Sequence, residues 1–186
     1  MQTLLVSLVA VAVAEIGDKT QLLSLVLAAR YRRPWPICSG VLVATFANHL
    51  AAGEAGALVT SWLSPSVLRW SMGLSFLSVA IWALFPDKLD SDEANRASRN
   101  GVFATTLIAF FLAEIGDRTQ IVTAILGASY QPLWQVVAGT TAGMLIANVP
   151  VIFVGARFAQ RLPMRTMRVV AAVLFAALGV FVSMRG

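Results

Sequence analysis

Two near-identical segments set acidic residues inside apolar sequence: AEIGDKTQ at 14–21 and AEIGDRTQ at 113–120, matching at seven of eight positions with an offset of 99. Glu15 and Asp18 stand three apart, a spacing that puts both carboxylates on one face of a helix, and Gln21 extends that stripe by another turn. Glu114, Asp117 and Gln120 repeat it. Gly17 and Gly116 remove a side chain beside the acids, permitting close helix approach or a local break in the helix. Thr20 and Thr119 offer a hydroxyl to a freed carbonyl or to an ion. Lys19 and Arg118 each stand four residues after a Glu, the spacing of an ion pair along one helix.

Carboxylate, amide and hydroxyl oxygens are hard ligands suited to Ca²⁺, Mg²⁺ or Mn²⁺, and no Cys/His cluster favours zinc or copper. Asn48 and Asn148, each near the middle of the next apolar segment, are candidates for further neutral oxygen ligands or gating residues, with Thr20, Gln21, Thr119 and Gln120. The expected metal site is therefore Glu15, Asp18, Glu114 and Asp117, with Lys19 and Arg118 balancing charge. Four acids and two bases carry a net charge of minus two, which one divalent ion or two protons neutralise. Protons and metal are thus expected to compete for one cluster as it alternates between the two sides of a membrane. The bland alternative is a pair of neutral Glu-Lys and Glu-Arg contacts that only fix helix packing. Duplication, and the extra Asp in each copy, argue against it.

Other singled-out residues carry less. His49 has no counterpart, because Val149 occupies the equivalent place, and a packing or hydrogen-bonding role outweighs a proton relay. Glu54 is also unrepeated, and is either part of an exit path or an interfacial residue facing water. Gly53, Gly56, Gly139 and Gly143 are expected to permit tight helix contacts. Cys38 alone cannot form an internal disulfide and reads as a small buried hydrophobe.

The elements that position these residues follow from composition. Of 186 residues 58% are hydrophobic and only 12% charged, with a mean hydropathy of +0.78, which makes lipid the solvent. The expected fold is all-α, with six transmembrane helices at 4–29, 37–61, 67–85, 102–128, 133–156 and 167–184. Pro34, Pro36, Pro65, Pro86, Pro132 and Pro163 fall in or beside connections, and Pro150 alone lies inside a span. In each motif the Glu is about the twelfth residue of its span, roughly 18 Å deep at 1.5 Å per residue. A charge there costs about 2.5 to 3.5 kcal/mol on insertion scales, so it faces a cavity and carries function.

The connections alternate in basic residues. Arg30, Arg32, Arg33, Lys88, Arg96, Arg99, Arg157, Arg161, Arg165 and Arg168 fall on one side, against Arg69 and Arg185 on the other. Counted by the positive-inside rule, the first set is cytoplasmic and both termini lie outside. Trp35, Trp62, Trp70, Trp82 and Trp134 near span ends suit the interface. Three spans per repeat, an odd number, make the second copy enter the membrane from the opposite side. Residues 1–86 form the first three-helix repeat, 87–101 a charged cytoplasmic linker, and 102–186 the second, inverted repeat. The linker reads as solvated, with weak capture of cytoplasmic cations as the sharper alternative. The apolar run at the N-terminus lacks preceding positive charge and is broken by Glu15 and Asp18, so it reads as a retained first helix. The net charge of +5 comes without a basic face or run, which excludes nucleic acid as a partner. The partners are membrane lipids, a divalent cation and protons; no cofactor is expected, and oligomeric state stays open.

The duplicated Glu-x-Gly-Asp-Lys/Arg-Thr signature, at Glu15, Gly17, Asp18, Lys19, Thr20 and at Glu114, Gly116, Asp117, Arg118, Thr119, resembles uncharacterised protein family 0016. That family includes bacterial manganese exporters and the eukaryotic Golgi and chloroplast cation/proton antiporters. The resemblance covers essentially the whole chain and implies transport of Mn²⁺ or Ca²⁺ with the motif acids as binding residues. The compact chain, without a leader or long loop, is similar to the bacterial manganese-exporting branch, which implies the inner membrane. From spacing alone the substrate is a hard divalent cation. Three alternatives stand beside secondary transport: a divalent cation channel, an exporter of a small organic cation or amino acid, and an intramembrane enzyme. The enzyme lacks a His-containing metal motif and an evident nucleophile.

Overall fold

The computed structural model describes residues 1–60, 62, 64–85, 101–154 and 164–184. The linker at 87–100, with Arg157, Arg161 and Arg185, lies outside the described residues, as do the side chains of Arg69, Arg165 and Arg168. The fold is all-α. Its eight helices among the described residues are α1 (Gln2–Glu15), α2 (Lys19–Tyr31), α3 (Pro34–Thr60), α4 (Pro65–Ala83), α5 (Gly101–Glu114), α6 (Arg118–Ser129), α7 (Leu133–Val154) and α8 (Met164–Met184).

The first and fourth expected spans are not continuous helices. Each is cut at its motif, after Glu15 and after Glu114. Ile16 is extended (φ −66°, ψ 116°), Gly17 adopts φ 85°, and Asp18 is extended again (φ −85°, ψ 169°). The second cut repeats this, with Gly116 at φ 72° and Asp117 at φ −79°, ψ 161°. Glycine reaches the positive-φ region without the Cβ penalty, which explains a break at this point in otherwise helix-forming sequence. The freed backbone groups are satisfied locally. The Asp18 and Asp117 N–H groups donate to the Glu15 and Glu114 carbonyls at 3.1 and 3.0 Å, and the Gly17 and Gly116 N–H groups donate to Gln21 and Gln120 Oε1 at 3.0 and 2.8 Å. Unwound backbone buried in a membrane protein needs such partners, because lipid supplies none.

Among the described residues, two helices are long and apolar enough to cross a membrane uninterrupted: α3, and α7 over Leu133–Phe153, which holds Pro150 in its interior. Burial along α3 falls at Ile37, Gly40, Val41, Ala44, Thr45, Asn48, His49, Ala52, Gly53 and Gly56, a stripe of helical period facing the rest of the molecule. The opposite face exposes Leu42, Val43, Phe46 and Leu50. Elsewhere Leu5, Val9, Leu58, Leu74, Ile146 and Phe153 are likewise exposed, while Glu15, Asp18, Glu114, Asp117 and Arg118 are buried. An apolar exterior around buried charge is the distribution of a protein in a membrane.

The two halves interlock. Helix α1 packs mainly on α7, and α3 packs on α5, α6 and α7, so each broken pair lies against the long helix of the other half. Helices α4 and α8 pack chiefly on each other beside this core. One close contact occurs twice in the same register: Gly40 meets Phe103 and Thr106 of α5, and Gly139 meets Leu4 and Ser7 of α1. Each residue of the second set differs from its counterpart by 99 positions. Gly143 meets the α1 backbone at Leu8 and Ala12, Gly53 lies against Gly127, and Gly56 against Ala124, so these glycines mark close helix approaches as expected. Trp35, Trp62, Trp70 and Trp134 are exposed. Trp82 departs from that pattern: its ring is 5.9 Å from the Arg118 guanidinium carbon, where the aromatic face attracts the cation.

Candidate cation site

The helix breaks change the geometry expected from spacing. Glu15 is the last residue of α1 and Asp18 the N-cap of α2, so they do not form a stripe along a continuous helix. Glu114 and Asp117 are related in the same way across α5 and α6. Gln21 and Gln120 do not extend an acidic stripe, since their carbonyl oxygens hold the glycine N–H groups of the breaks. The Gln21 amide also donates to the Ala147 carbonyl of α7 at 3.1 Å.

Each glutamate accepts a hydrogen bond from an asparagine of the other half of the chain. Glu15 Oε1 accepts from Thr20 Oγ1 and, at 2.9 Å, from Asn148 Nδ2 of α7. Ser24 of α2 donates to Asn148 Oδ1 at 2.6 Å and so orients that amide. Glu114 accepts from Thr45 Oγ1 at 2.5 Å and from Asn48 Nδ2 at 3.1 Å, both on α3. The two asparagines therefore turn their N–H groups toward the glutamates. Thr119 departs from its counterpart Thr20, donating its hydroxyl to Asp117 Oδ2 at 3.1 Å and its N–H to the same oxygen at 3.3 Å.

The bases also cross. Lys19 does not pair with Glu15 along its helix, because the break removes the four-residue register; its Nζ lies 3.7 Å from Asp117 Oδ1. The Arg118 guanidinium reaches Asp18 Oδ1 at 2.9 Å, with both side chains fully enclosed. Lys19 is the more open partner, its side chain 21% exposed. Among the described residues, no three His, Cys, Asp or Glu side chains converge closely enough to hold an ion in this conformation. Two arms connect the acids instead: Asp18 through Arg118, and Asp117 through Lys19. Glu15 Oε2 and Asp18 Oδ2 are buried acceptors with no hydrogen-bond donor among the described residues.

His49 is fully buried, and neither ring nitrogen is hydrogen-bonded among the described residues. Glu54 is exposed in a groove of about 410 Å³ with Phe46, Leu50, Leu133, Trp134, Val137 and Ala138, away from the buried acids. Sequence reasoning missed Thr45 and Ser24. Thr45 stands three residues before Asn48 on the same helix face, and that spacing was its available signal.

Buried acids at the junctions of two broken helices, in an otherwise apolar protein, are consistent with the cation-transport site of a membrane transporter. The family model described as divalent cation/proton antiporter GDT1 matches residues 3–91 and 102–186, and the chain belongs to this family. A relative from Vibrio cholerae serotype O1, named "Putative manganese exporter", is 52% identical over 176 residues, covering 94% of this chain and 87% of its own length. A GDT1-like protein of Synechocystis is 28% identical over 196 residues, covering 90% of each chain. A GDT1-like protein 3 of Oryza sativa subsp. indica is 27% identical over 198 residues, covering 92% of this chain and 70% of its own. No solved structure matches the chain.

Proposed function

We propose that this protein exports a divalent cation, Mn²⁺ before Ca²⁺, from the cytoplasm in exchange for protons, with Glu15, Asp18, Glu114 and Asp117 as the binding acids. The observation that carries the reading is the reciprocal enclosure of the two glutamates: Asn148 of the second half holds Glu15, and Asn48 of the first half holds Glu114. A site assembled from both halves at two helix breaks responds to any movement of one half against the other, which is what alternating access requires. Helix α1 and helix α5 end at the glutamates, so their carbonyl ends add negative potential where a cation would sit.

In this scheme residues 1–86 and 102–186 are two three-helix repeats of opposite orientation joined by a cytoplasmic linker at 87–101. Each broken pair counts as one span, giving six. Both termini face away from the cytoplasm, across a bacterial inner membrane. The register-matched contacts of Gly40 and Gly139 support the repeat. Lys19 and Arg118 balance two acids, and the remaining charge of minus two matches one divalent ion or two protons. For the metal to bind, Asp18 and Asp117 must turn from their basic partners toward the glutamates. Thr20, Asn48, Thr119 and Asn148 then adjust around the loaded site, while Gln21 and Gln120 hold the breaks open. The choice of Mn²⁺ draws on the name of the Vibrio cholerae relative.

The test is transport by purified protein in liposomes with an imposed pH difference. Uphill Mn²⁺ movement with opposing proton flow, saturable and competed by Ca²⁺, is expected. Mn²⁺ flux indifferent to the pH difference would remove proton coupling, and competition by amino acids alone would remove the metal.

A further inference from the structure

Met144 is fully buried, and its sulfur lies 3.5 Å from Asn148 Nδ2, the amide that also donates to Glu15 Oε1 at 2.9 Å. The thioether and the Glu15 carboxylate thus share one neighbour. Met144 stands 99 residues after Thr45, the offset that relates Gly40 to Gly139, while a few residues on Asn148 follows Asn48 by 100. Thr45 places a hydroxyl 2.5 Å from Glu114 Oε1. Thr45 thus brings oxygen to Glu114 directly, whereas the Met144 sulfur reaches Glu15 through the Asn148 amide that they share.

The shells differ in reach as well. Thr45 and Asn48 are three residues apart, whereas Met144 and Asn148 are four apart, and both spacings keep the pair on one helix face. The Met144 thioether at Asn148 and Glu15 Oε2, a buried acceptor with no donor among the described residues, stand at the two ends of one hydrogen bond, so sulfur as well as oxygen lies near that glutamate. Alkaline-earth ions gain nothing from a thioether, while first-row transition metals and Cd²⁺ accept one.

We infer that Met144 is a ligand that tilts this site toward transition-metal cations and away from Ca²⁺ and Mg²⁺. This rests on the reading of Glu15 as a cation ligand. Thr45 on the opposite half supplies only hard oxygen, so the discrimination resides on the Glu15 side. A core-filling methionine would be exchangeable for leucine without consequence for metal choice, and that difference is measurable.

Competition binding of Mn²⁺, Cd²⁺, Ca²⁺ and Mg²⁺ to the purified full-length protein tests the assignment. In Met144→Leu, which conserves volume, the preference for Mn²⁺ over Ca²⁺ falls about tenfold, the low end for loss of a metal-shell partner, and that for Cd²⁺ falls further. Met144→Thr, which copies the opposite half, moves the preference in the same direction and keeps the test valid should the leucine variant not fold. Glu15→Gln is measured alongside. Unchanged preferences in both Met144 variants, with Mn²⁺ binding lost in Glu15→Gln, would overturn the role of Met144 and leave the site intact. Mn²⁺ binding undiminished in Glu15→Gln would overturn both.

Discussion

The Arg118 guanidinium lies 2.9 Å from the carboxylate of Asp18, one hundred residues earlier, so that each motif donates its base to the acid of the other. This crossing ties two helix breaks into one unit. Removing one partner of a buried pair strands the other charge, at a cost of about 3 to 5 kcal/mol. Arg118→Met is expected to lower the melting temperature in detergent sharply, and the double variant Asp18→Asn/Arg118→Met to recover much of the loss. Equal melting temperatures for Arg118→Met and wild type would show that the pair contributes nothing.

Gly116 separates backbone strain from packing. A Cβ added there meets nothing within 4 Å, yet φ is +72°. Gly116→Ala is therefore expected to cost about 1 to 2 kcal/mol through the left-handed backbone alone, and Gly116→Asn less, since Asn tolerates that region. Chemical denaturation of the three proteins checks the order; an alanine variant as stable as wild type would mean that the break is absent.

The crossed hydrogen bonds predict which residues are energetically coupled. A double-mutant cycle between Asn148→Ala and Glu15→Gln should give a coupling of about 0.5 to 3 kcal/mol, and the cycle between Asn148→Ala and Glu114→Gln a smaller one. Asn48→Ala should show the opposite partner choice. Coupling within each half instead of across halves would contradict the interlocked shells.

The charge balance fixes the sign of the pH dependence. Acids that bind metal as carboxylates must first release any protons they hold, so apparent Mn²⁺ affinity falls as pH falls. Exchange of two protons per ion sets a limiting slope of about 100-fold per pH unit. Mn²⁺ titrations across a pH series measure it, and a flat profile would leave no room for proton competition.

Much of the candidate site was legible in the sequence because the motif occurs twice. Repetition singled out Glu15, Asp18, Glu114 and Asp117, and all four are buried. The glycine at the centre of each motif allowed for a break, but periodicity alone favoured a continuous helix, since a short stretch of non-helical backbone leaves no mark in an apolar pattern. Once the helix breaks, arguments from three- and four-residue spacing fail, which is why the Lys19 to Glu15 pair and the Gln21 stripe did not form. The exchange of partners between halves was not legible, because a repeat identifies equivalent residues without saying which helices pack together. Thr45 belongs to that same blind spot: it acts on Glu114, on a helix of the opposite half.

The most direct test of a single shared site is the number of Mn²⁺ ions bound per chain, measured by electron paramagnetic resonance titration of wild type, Glu15→Gln and Glu114→Gln. One ion per wild-type chain, with binding lost in either single variant, is the expected result. Two ions per wild-type chain and one remaining in each variant would contradict it, because the motifs would then act as two independent sites.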